Sequence, residues 1–293
     1  MSETPPDKLL LCTDLDRTLL PNGEQPESAD SRRLFRELVS NDNIMLAYVS
    51  GRDSQRVINA IREYDLPMPD FSVCDVGSSI YDLRSSQEQW LDMASWQMHI
   101  APDWHRQTHA DLALLFSDID GLRIQETSKQ NSFKLSYYVS LEVKQADIHA
   151  QLCHRLKVQQ IKASLIWSID EQANTRLLDV LPESATKLHA IEFLQSQLGL
   201  THQATLFAGD SGNDSQVLVS LVPSVLVANA MQEVREDVKL GAKQAGTTDA
   251  IYFAQGGFLG MNGNYSAGIL EGVAHYYPSL VANIDPRTEC TEA

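Results

Sequence analysis

The feature that most constrains the fold is a set of short, nearly continuous apolar segments separated by helical patterns. Such segments span residues 8–13, 44–49 and 71–76. A strand that is apolar along its whole length is typical of a parallel sheet covered on both faces. Residues 28–40 and 53–64, between these segments, have helical patterning. Strand, helix, strand, helix and strand within about 70 residues predict an α/β fold with a parallel sheet.

The pattern changes after Tyr81 and returns after Pro182. Residues 85–115 have helical patterning, and further along the middle block there are predicted strands at 133–139, 164–169 and 177–181 and a predicted helix at 145–157. The later part has predicted helices at 187–198 and after Asp214, and predicted strands at 205–208 and 225–228. We therefore predict a Rossmann-like parallel-sheet core, residues 1–84 and 183–293, with an inserted α+β cap domain, residues 85–182.

Composition and charge exclude several classes of function. The 293 residues carry a net charge of 23 − 39 = −16, and 43% are hydrophobic. Because such an acidic surface repels nucleic acids and anionic lipid headgroups, we expect neither as a partner. We see no signal peptide in residues 1–7 and no apolar stretch long enough for a membrane span. Four widely spaced cysteines, Cys12, Cys74, Cys153 and Cys290, favour reduced thiols in a cytoplasmic protein, which we expect to be a monomer.

Acidic residues follow the first predicted strand directly. Asp14 and Asp16 stand at the carboxyl end of a parallel strand, where α/β proteins bind ligands. Crowded carboxylates repel each other unless a cation neutralises them, so a metal ion is their natural partner. The structural alternative is a solvated turn, in which aspartates are common.

Three later segments offer complementary groups. Residues 209–214, Gly-Asp-Ser-Gly-Asn-Asp, bring Asp210 and Asp214 to another strand end, although these residue types are also ordinary in turns. Residues 50–52, Ser-Gly-Arg, offer a hydroxyl and backbone N–H groups to an anion, whereas the simpler interpretation of Ser50 is a helix cap. Lys187 starts a helix, and a lone lysine is usually a solvated surface charge.

The order of these motifs is more specific than any of them alone. Asp-x-Asp-x-Thr at 14–18, Ser-Gly-Arg, the lysine and the motif at 209–214 together resemble the haloacid dehalogenase superfamily of phosphatases, and the inserted segment resembles its large α+β cap. Residues 76–81, 130–137, 210–214 and 266–271 resemble the sucrose-phosphate phosphatase family more closely. This sequence departs from that family at Lys187-Leu188, where Lys-Gly is usual, and at Arg17, where Asn is usual.

The resemblance implies hydrolysis of a phosphate ester through an aspartyl-phosphate intermediate. Asp14 would attack phosphorus, and Asp16 would protonate the leaving oxygen and then activate water. Mg²⁺ would be held by Asp14, the backbone carbonyl of Asp16, Asp210 and Asp214. The phosphoryl oxygens would be bound by Ser50, Gly51 and Lys187. Thr18 is expected to stabilise the loop rather than to do chemistry.

The resemblance also implies which groups bind the sugar. Gln130, Asn131 and Lys134 of the cap would bond sugar hydroxyls, with Asp179 as a weaker candidate. Asn213 is also expected to bind the substrate, and Arg52 can bind either sugar or phosphate. The alternative for Lys134 is a strand residue that faces solvent. The expected substrate is sucrose 6-phosphate, supplied by an upstream sugar-phosphate synthase. Other substrates are mannosyl-3-phosphoglycerate, mannosylfructose phosphate and glucosylglycerol phosphate. Other activities are a phosphomutase and a binding module without turnover, although the latter would be expected to lack Asp14 or Asp16.

Overall fold

Apolar runs whose side chains alternate between two buried faces form the central sheet. In this computed structural model, which describes residues 8–170, 175–282 and 284, every residue of the first strand is buried. Leu9 and Leu11 belong to one hydrophobic cluster, whereas Leu10 and Cys12 belong to another. Because successive strand residues point to opposite faces, a strand covered on both sides must be apolar throughout.

The described residues form eleven strands and nine α-helices. The strands are β1 (Leu9–Thr13), β2 (Ile44–Val49), β3 (Phe71–Cys74), β4 (Ser79–Asp82), β5 (Leu122–Ile124), β6 (Leu135–Val139), β7 (Ala163–Asp170), β8 (Thr175–Pro182), β9 (Thr205–Gly209), β10 (Ser224–Leu226) and β11 (Ile251–Phe253). The helices are α1 (Ser31–Val39), α2 (Ser54–Glu63), α3 (Ala94–Ile100), α4 (His109–Leu115), α5 (Gln145–Val158), α6 (Lys187–Leu198), α7 (Ser215–Leu218), α8 (Gln232–Ala245) and α9 (Ser266–Tyr276).

The larger sheet places three strand ends side by side. Its order is β11-β10-β9-β1-β2-β3-β4, and all neighbours are parallel except β3 and β4. Strand β1 lies between β2 and β9. The residues that follow these three strands, Asp14, Ser50 and Asp210, therefore share one edge of the sheet, as expected for the ligand site of an open α/β sheet.

The inserted segment has its own antiparallel sheet and its own core. Strands β5, β6, β8 and β7 pair in that order. Side chains of β6 and β8 pack with those of α4 and α5, including Leu112, Leu152 and Leu178, in a separate hydrophobic cluster. A parallel-sheet core with an inserted α+β segment is therefore the observed fold, as the sequence predicts.

Some local predictions are wrong. Residues 85–115 are not continuously helical: 85–93 contain no helix, and a turn that holds Pro102 and the positive-φ residues His105 and Arg106 separates α3 from α4. Strand β3 ends at Cys74 because Asp75, Val76 and Gly77 all have positive φ. The strands β4, β5 and β11 and the helices α8 and α9 were not predicted.

The limits of the two predicted domains stay a prediction. Trp96 and Ile100 of α3, which lie beyond the predicted boundary at 84, pack in a cluster with Val49 and Phe71 of the larger sheet. The structure gives Cys12 and Cys74 as free buried thiols and Cys153 as free and exposed, whereas Cys290 and residues 1–7 lie outside the described residues. Among the described helices, none has the length and apolar character needed to cross a bilayer.

Candidate active site

Three carboxylates meet at the end of β1 and β9. One oxygen from each of Asp14, Asp210 and Asp214 lies within 4.8 Å of the others, and all three residues are buried. The backbone N–H of Asp14 donates to Ala208 O at 2.9 Å, which joins the two strand ends. Asp14 is only 4% exposed, so its alternative interpretation as a solvated turn residue is wrong.

Lys187 balances part of this negative charge. Its Nζ lies 2.7 Å from Asp214 Oδ1 and 3.2 Å from Asp14 Oδ1, and the residue is 3% exposed. The helix that carries it, α6, is capped by the Thr186 hydroxyl, which accepts from the N–H of His189. The alternative interpretation of Lys187 as a surface charge is therefore wrong. Burial lowers its pKa, but Asp14 and Asp214 more than reverse this effect, so the ammonium stays charged.

The protein alone does not fully compensate the carboxylates. Burial raises the pKa of Asp14 to about 7, against the lowering effect of Lys187. Burial and the neighbouring Asp214 raise the pKa of Asp210 to about 6, although Arg17 and Thr18 oppose the shift. Ionised carboxylates are thus costly here in the absence of a further positive charge.

A hard divalent cation fits this donor set. Three buried carboxylates offer the oxygen ligands that Mg²⁺ prefers, and Mg²⁺ needs only one or two carboxylates besides phosphate and water. The carboxylate of Asp16 is engaged elsewhere and does not join the cluster, so only its backbone carbonyl remains as the expected ligand group.

The backbone of the 209–214 loop shapes the cluster. A Cβ added to Gly209 would lie 2.7 Å from Asp214 Oδ2, so only glycine fits there. Asp214 Oδ2 accepts hydrogen bonds from the N–H groups of Asp210 and Ser211, both at 3.2 Å. Asn213 is exposed, and its Oδ1 lies 3.4 Å from Lys187 Nζ. Thr18 donates to Asp210 at 3.2 Å, which agrees with its expected role in stabilising the loop.

Residues 50–52 lie on the neighbouring strand end. Ser50 is buried, and its Oγ accepts from the Arg52 N–H at 3.2 Å. Helix α2 is capped by Asp53, so the alternative interpretation of Ser50 as its cap is wrong. Arg52 forms a bidentate ion pair with Asp16, at 2.6 and 2.7 Å. Burial raises the pKa of Asp16, but the bonds from Arg52 outweigh it and hold the pKa below its ordinary value.

The predicted sugar-binding residues have different surroundings. Lys134 is buried against Asp75, and Asn131 bonds Ser78 at 2.9 Å, so both link the inserted segment to the larger sheet. The amide of Gln130 is bonded within the inserted segment, to Gln125 O and to the backbone of Ser136. The Ser136 hydroxyl donates to Asp179. The role of these residues in sugar binding stays a prediction.

Two charged residues near the site were not selected from the sequence as functional. Arg17 Nε lies 3.6 Å from Asp210 Oδ2, and Asn229 donates to Arg17 O at 2.6 Å. Asp75 contacts Lys134 from the end of β3. Asp75 immediately precedes the motif at 76–81, and this adjacency was the available signal, although only tertiary contacts connect it with residue 134.

Fold and site together define a phosphatase of the haloacid dehalogenase class, a phosphoric monoester hydrolase. The model of the sucrose-6F-phosphate phosphohydrolase family matches residues 7–277, and the chain belongs to this family.

Relatives and a solved structure agree with this assignment. A putative haloacid dehalogenase-like hydrolase of Nitrosococcus oceani is 49% identical, over 94% of this chain and 73% of its own length. Sucrose-phosphatase 1 of Nicotiana tabacum is 26% identical over 96% of this chain, which spans 61% of that protein. The sucrose-phosphatase of Synechocystis, solved with sucrose and phosphate, is 25% identical, has a TM-score of 0.66, and the match covers 92% of this chain and 98% of that one.

Proposed function

We propose that the protein hydrolyses sucrose 6-phosphate to sucrose and inorganic phosphate with Mg²⁺ as its cofactor. The observation that carries the chemistry is the Asp14–Asp210–Asp214 cluster with Lys187 buried against it. The substrate assignment is supported by the family match and by the sucrose-binding relative. When bound, the cation neutralises the carboxylates and the phosphoryl oxygens.

Asp14 has the position and the neighbours of a nucleophile. The Leu15 N–H and Lys187 both contact Oδ1, at 2.8 and 3.2 Å, so we assign the attack on phosphorus to Oδ2. A bond then forms between Oδ2 and phosphorus as the bond to the sugar oxygen breaks. Water later attacks phosphorus and restores the Asp14 carboxylate, and Lys187 and the Ser50 hydroxyl stabilise the oxygens that carry the developing charge.

Asp16 is the proposed acid for the leaving sugar oxygen and the base for water. As a carboxylate paired with Arg52 it cannot donate a proton. A phosphoryl group is an equally good bidentate partner for a guanidinium, so its arrival can separate the pair and free Asp16 for protonation. Arg52 would then bind the phosphate, which is one of the two roles predicted for it.

Phosphate release across a substrate panel tests the proposal. The panel contains sucrose 6-phosphate, mannosyl-3-phosphoglycerate, mannosylfructose phosphate, glucosylglycerol phosphate and p-nitrophenyl phosphate, each with Mg²⁺ and after chelation. We expect the highest kcat/KM for sucrose 6-phosphate and no turnover after chelation. A higher value for another sugar phosphate would refute the substrate assignment, and undiminished activity after exhaustive chelation would refute the metal requirement. Transfer of the phosphoryl group within the sugar without phosphate release would identify a phosphomutase.

A further inference from the structure

Asp75 lies in a turn between two elements that we propose to bind the phosphoryl group, the 50–52 loop and the start of α6. Its N–H donates to Arg52 O at 2.9 Å, and the next N–H, of Val76, donates to Ser50 O at 3.3 Å. On the other side, a Cβ on Gly77 would lie 2.6 Å from the backbone carbon of Thr186, the residue before Lys187. The turn at residues 75–77 is therefore held against the 50–52 loop through Asp75 and Val76, and against the start of α6 through Gly77.

The side chain of Asp75 joins this turn to the inserted segment. Its Oδ1 accepts from Lys134 Nζ at 2.7 Å and its Oδ2 accepts from Asn131 Nδ2 at 3.2 Å. Asp75 is 7% exposed and Lys134 is 8% exposed. A buried charge is retained only when it is well paired, so this contact strongly constrains the ammonium.

The pKa values of both Lys134 and Asp75 are raised, which favours a charged lysine but a neutral aspartic acid. Burial lowers the pKa of Lys134, but the nearby carboxylates, first Asp75 and then Asp179, more than reverse the effect, which favours the charged ammonium. Burial raises the pKa of Asp75, and Lys134 offsets the shift only in part. The 2.7 Å contact between the two groups favours an ion pair, because a neutral Asp75 carboxyl would take away the negative charge in direct contact with the buried ammonium.

We propose that Asp75 is a positioning residue for sugar recognition, which holds Lys134 beside the 50–52 loop. An ammonium has three N–H donors, and the bond to Asp75 uses one of them, so a sugar hydroxyl can accept another. The substrate class is a phosphate monoester of a polyhydroxylated sugar, and the proposal rests on the proposed function for that class.

Nearby Lys129 provides a matched control. It also belongs to the inserted segment and also faces an aspartate of the core, but its Nζ is 3.8 Å from Asp53 Oδ2, beyond hydrogen-bond distance. We expect Lys129→Met to leave activity on all substrates within twofold of wild type. A loss comparable to that of Lys134→Met would mean that general charge attraction, rather than the specific pair, matters, and would overturn the proposal.

The test compares Asp75→Asn, Lys134→Met and the double variant on the best sugar phosphate of the panel and on p-nitrophenyl phosphate. A charge-assisted hydrogen bond implies a loss of about 10-fold to 100-fold in the ratio of the two kcat/KM values, mainly through KM for the sugar phosphate. We expect this ratio to fall by the same factor in both single variants, and to fall no further in the double variant. Asp75→Glu, which keeps the charge, should recover part of the loss.

Thermal unfolding separates positioning from a structural role. Removal of one partner of a buried pair destabilises, whereas removal of both is much better tolerated, so the double variant should recover Tm while its substrate ratio stays low. The proposal would be overturned if kcat/KM fell equally on both substrates and in proportion to the decrease in Tm. It would also be overturned if the effects of the two substitutions added up in the double variant. If Asp75→Asn does not fold, the double variant and Asp75→Glu supply the same comparison. Wild-type enzyme that is active on p-nitrophenyl phosphate but on no sugar phosphate would refute the proposed function itself, and this inference with it.

Discussion

Substitution of Lys187 by methionine tests the electrostatic account of the site. The ammonium is 3% exposed and contacts Asp14 and Asp214, so its loss leaves buried carboxylates without their protein counter-charge. Breaking a buried pair in this way costs about 3–5 kcal/mol. For 293 residues, at about 2.1 cal/mol/K per residue, the entropy of unfolding is about 0.6 kcal/mol/K, so the Tm of the metal-free protein should fall by roughly 5–8 °C. Because the lysine is also the residue that we propose to bind the phosphoryl oxygens, kcat/KM should fall by roughly 10²–10³ for every substrate.

The assay is thermal unfolding in EDTA and in Mg²⁺, together with phosphate release. We expect Mg²⁺ to raise the Tm of Lys187→Met more than that of wild type, because the cation compensates the same carboxylates. Lys243→Met, at an exposed position of α8, is the matched control and should leave both Tm and activity unchanged. A Lys187→Met protein with wild-type Tm in EDTA, or with more than a tenth of wild-type activity, would refute the reasoning.

Three further results are expected. Asp14→Asn should abolish phosphate release on every substrate while the protein stays folded by circular dichroism, because an amide cannot act as the nucleophile; residual turnover above a tenth of wild type would exclude Asp14 from that role. Gly209→Ala should lower Tm and activity, because the added Cβ would lie within 2.9 Å of three Asp214 atoms. Gly212→Ala should be neutral, because its Cβ would have no neighbouring heavy atom within 4 Å, and equal effects of the two substitutions would contradict the packing argument. In EDTA, Tm should fall as the pH rises from about 4 to 7. The reason is that folded Asp14, with a pKa of about 7, and folded Asp210, with a pKa of about 6, keep protons that the unfolded chain has released. Mg²⁺ should remove this dependence of Tm on pH, and a Tm that rises with pH in EDTA would contradict the reasoning.

Local sequence determined the core of the fold and the residues that enter its site. The first strand is apolar at every position because both of its faces are covered, so it could be recognised without any tertiary information. The chain also places Asp14, Ser50 and Asp210 directly after their strands. Since parallel strands end at a common edge, the positions of these residues in the sequence place them along one edge of the sheet.

Prediction was weaker where tertiary contacts override local pattern. The prediction of helix over 85–115 failed at two places. Asp92 forms an antiparallel bridge with Tyr81 instead, and α3 ends at Ile100, where a short 3₁₀ helix that contains Pro102 follows. Short strands such as β11 contain only three residues and gain their stability from pairing with β10, so their own pattern carries little signal.

Only the tertiary structure decided the electrostatic state of the side chains. A lone lysine in a sequence is usually exposed, yet Lys187 is buried between two carboxylates, because apolar side chains of α6 share a hydrophobic cluster with those of β1 and β9. Similarly, Asp75 and Lys134 are 59 residues apart and form a buried ion pair because the inserted segment folds back onto the larger sheet. Local pattern specifies strands and their ends, whereas burial and pairing of charges depend on which distant elements pack together, and the free energy of a charge is set by those neighbours.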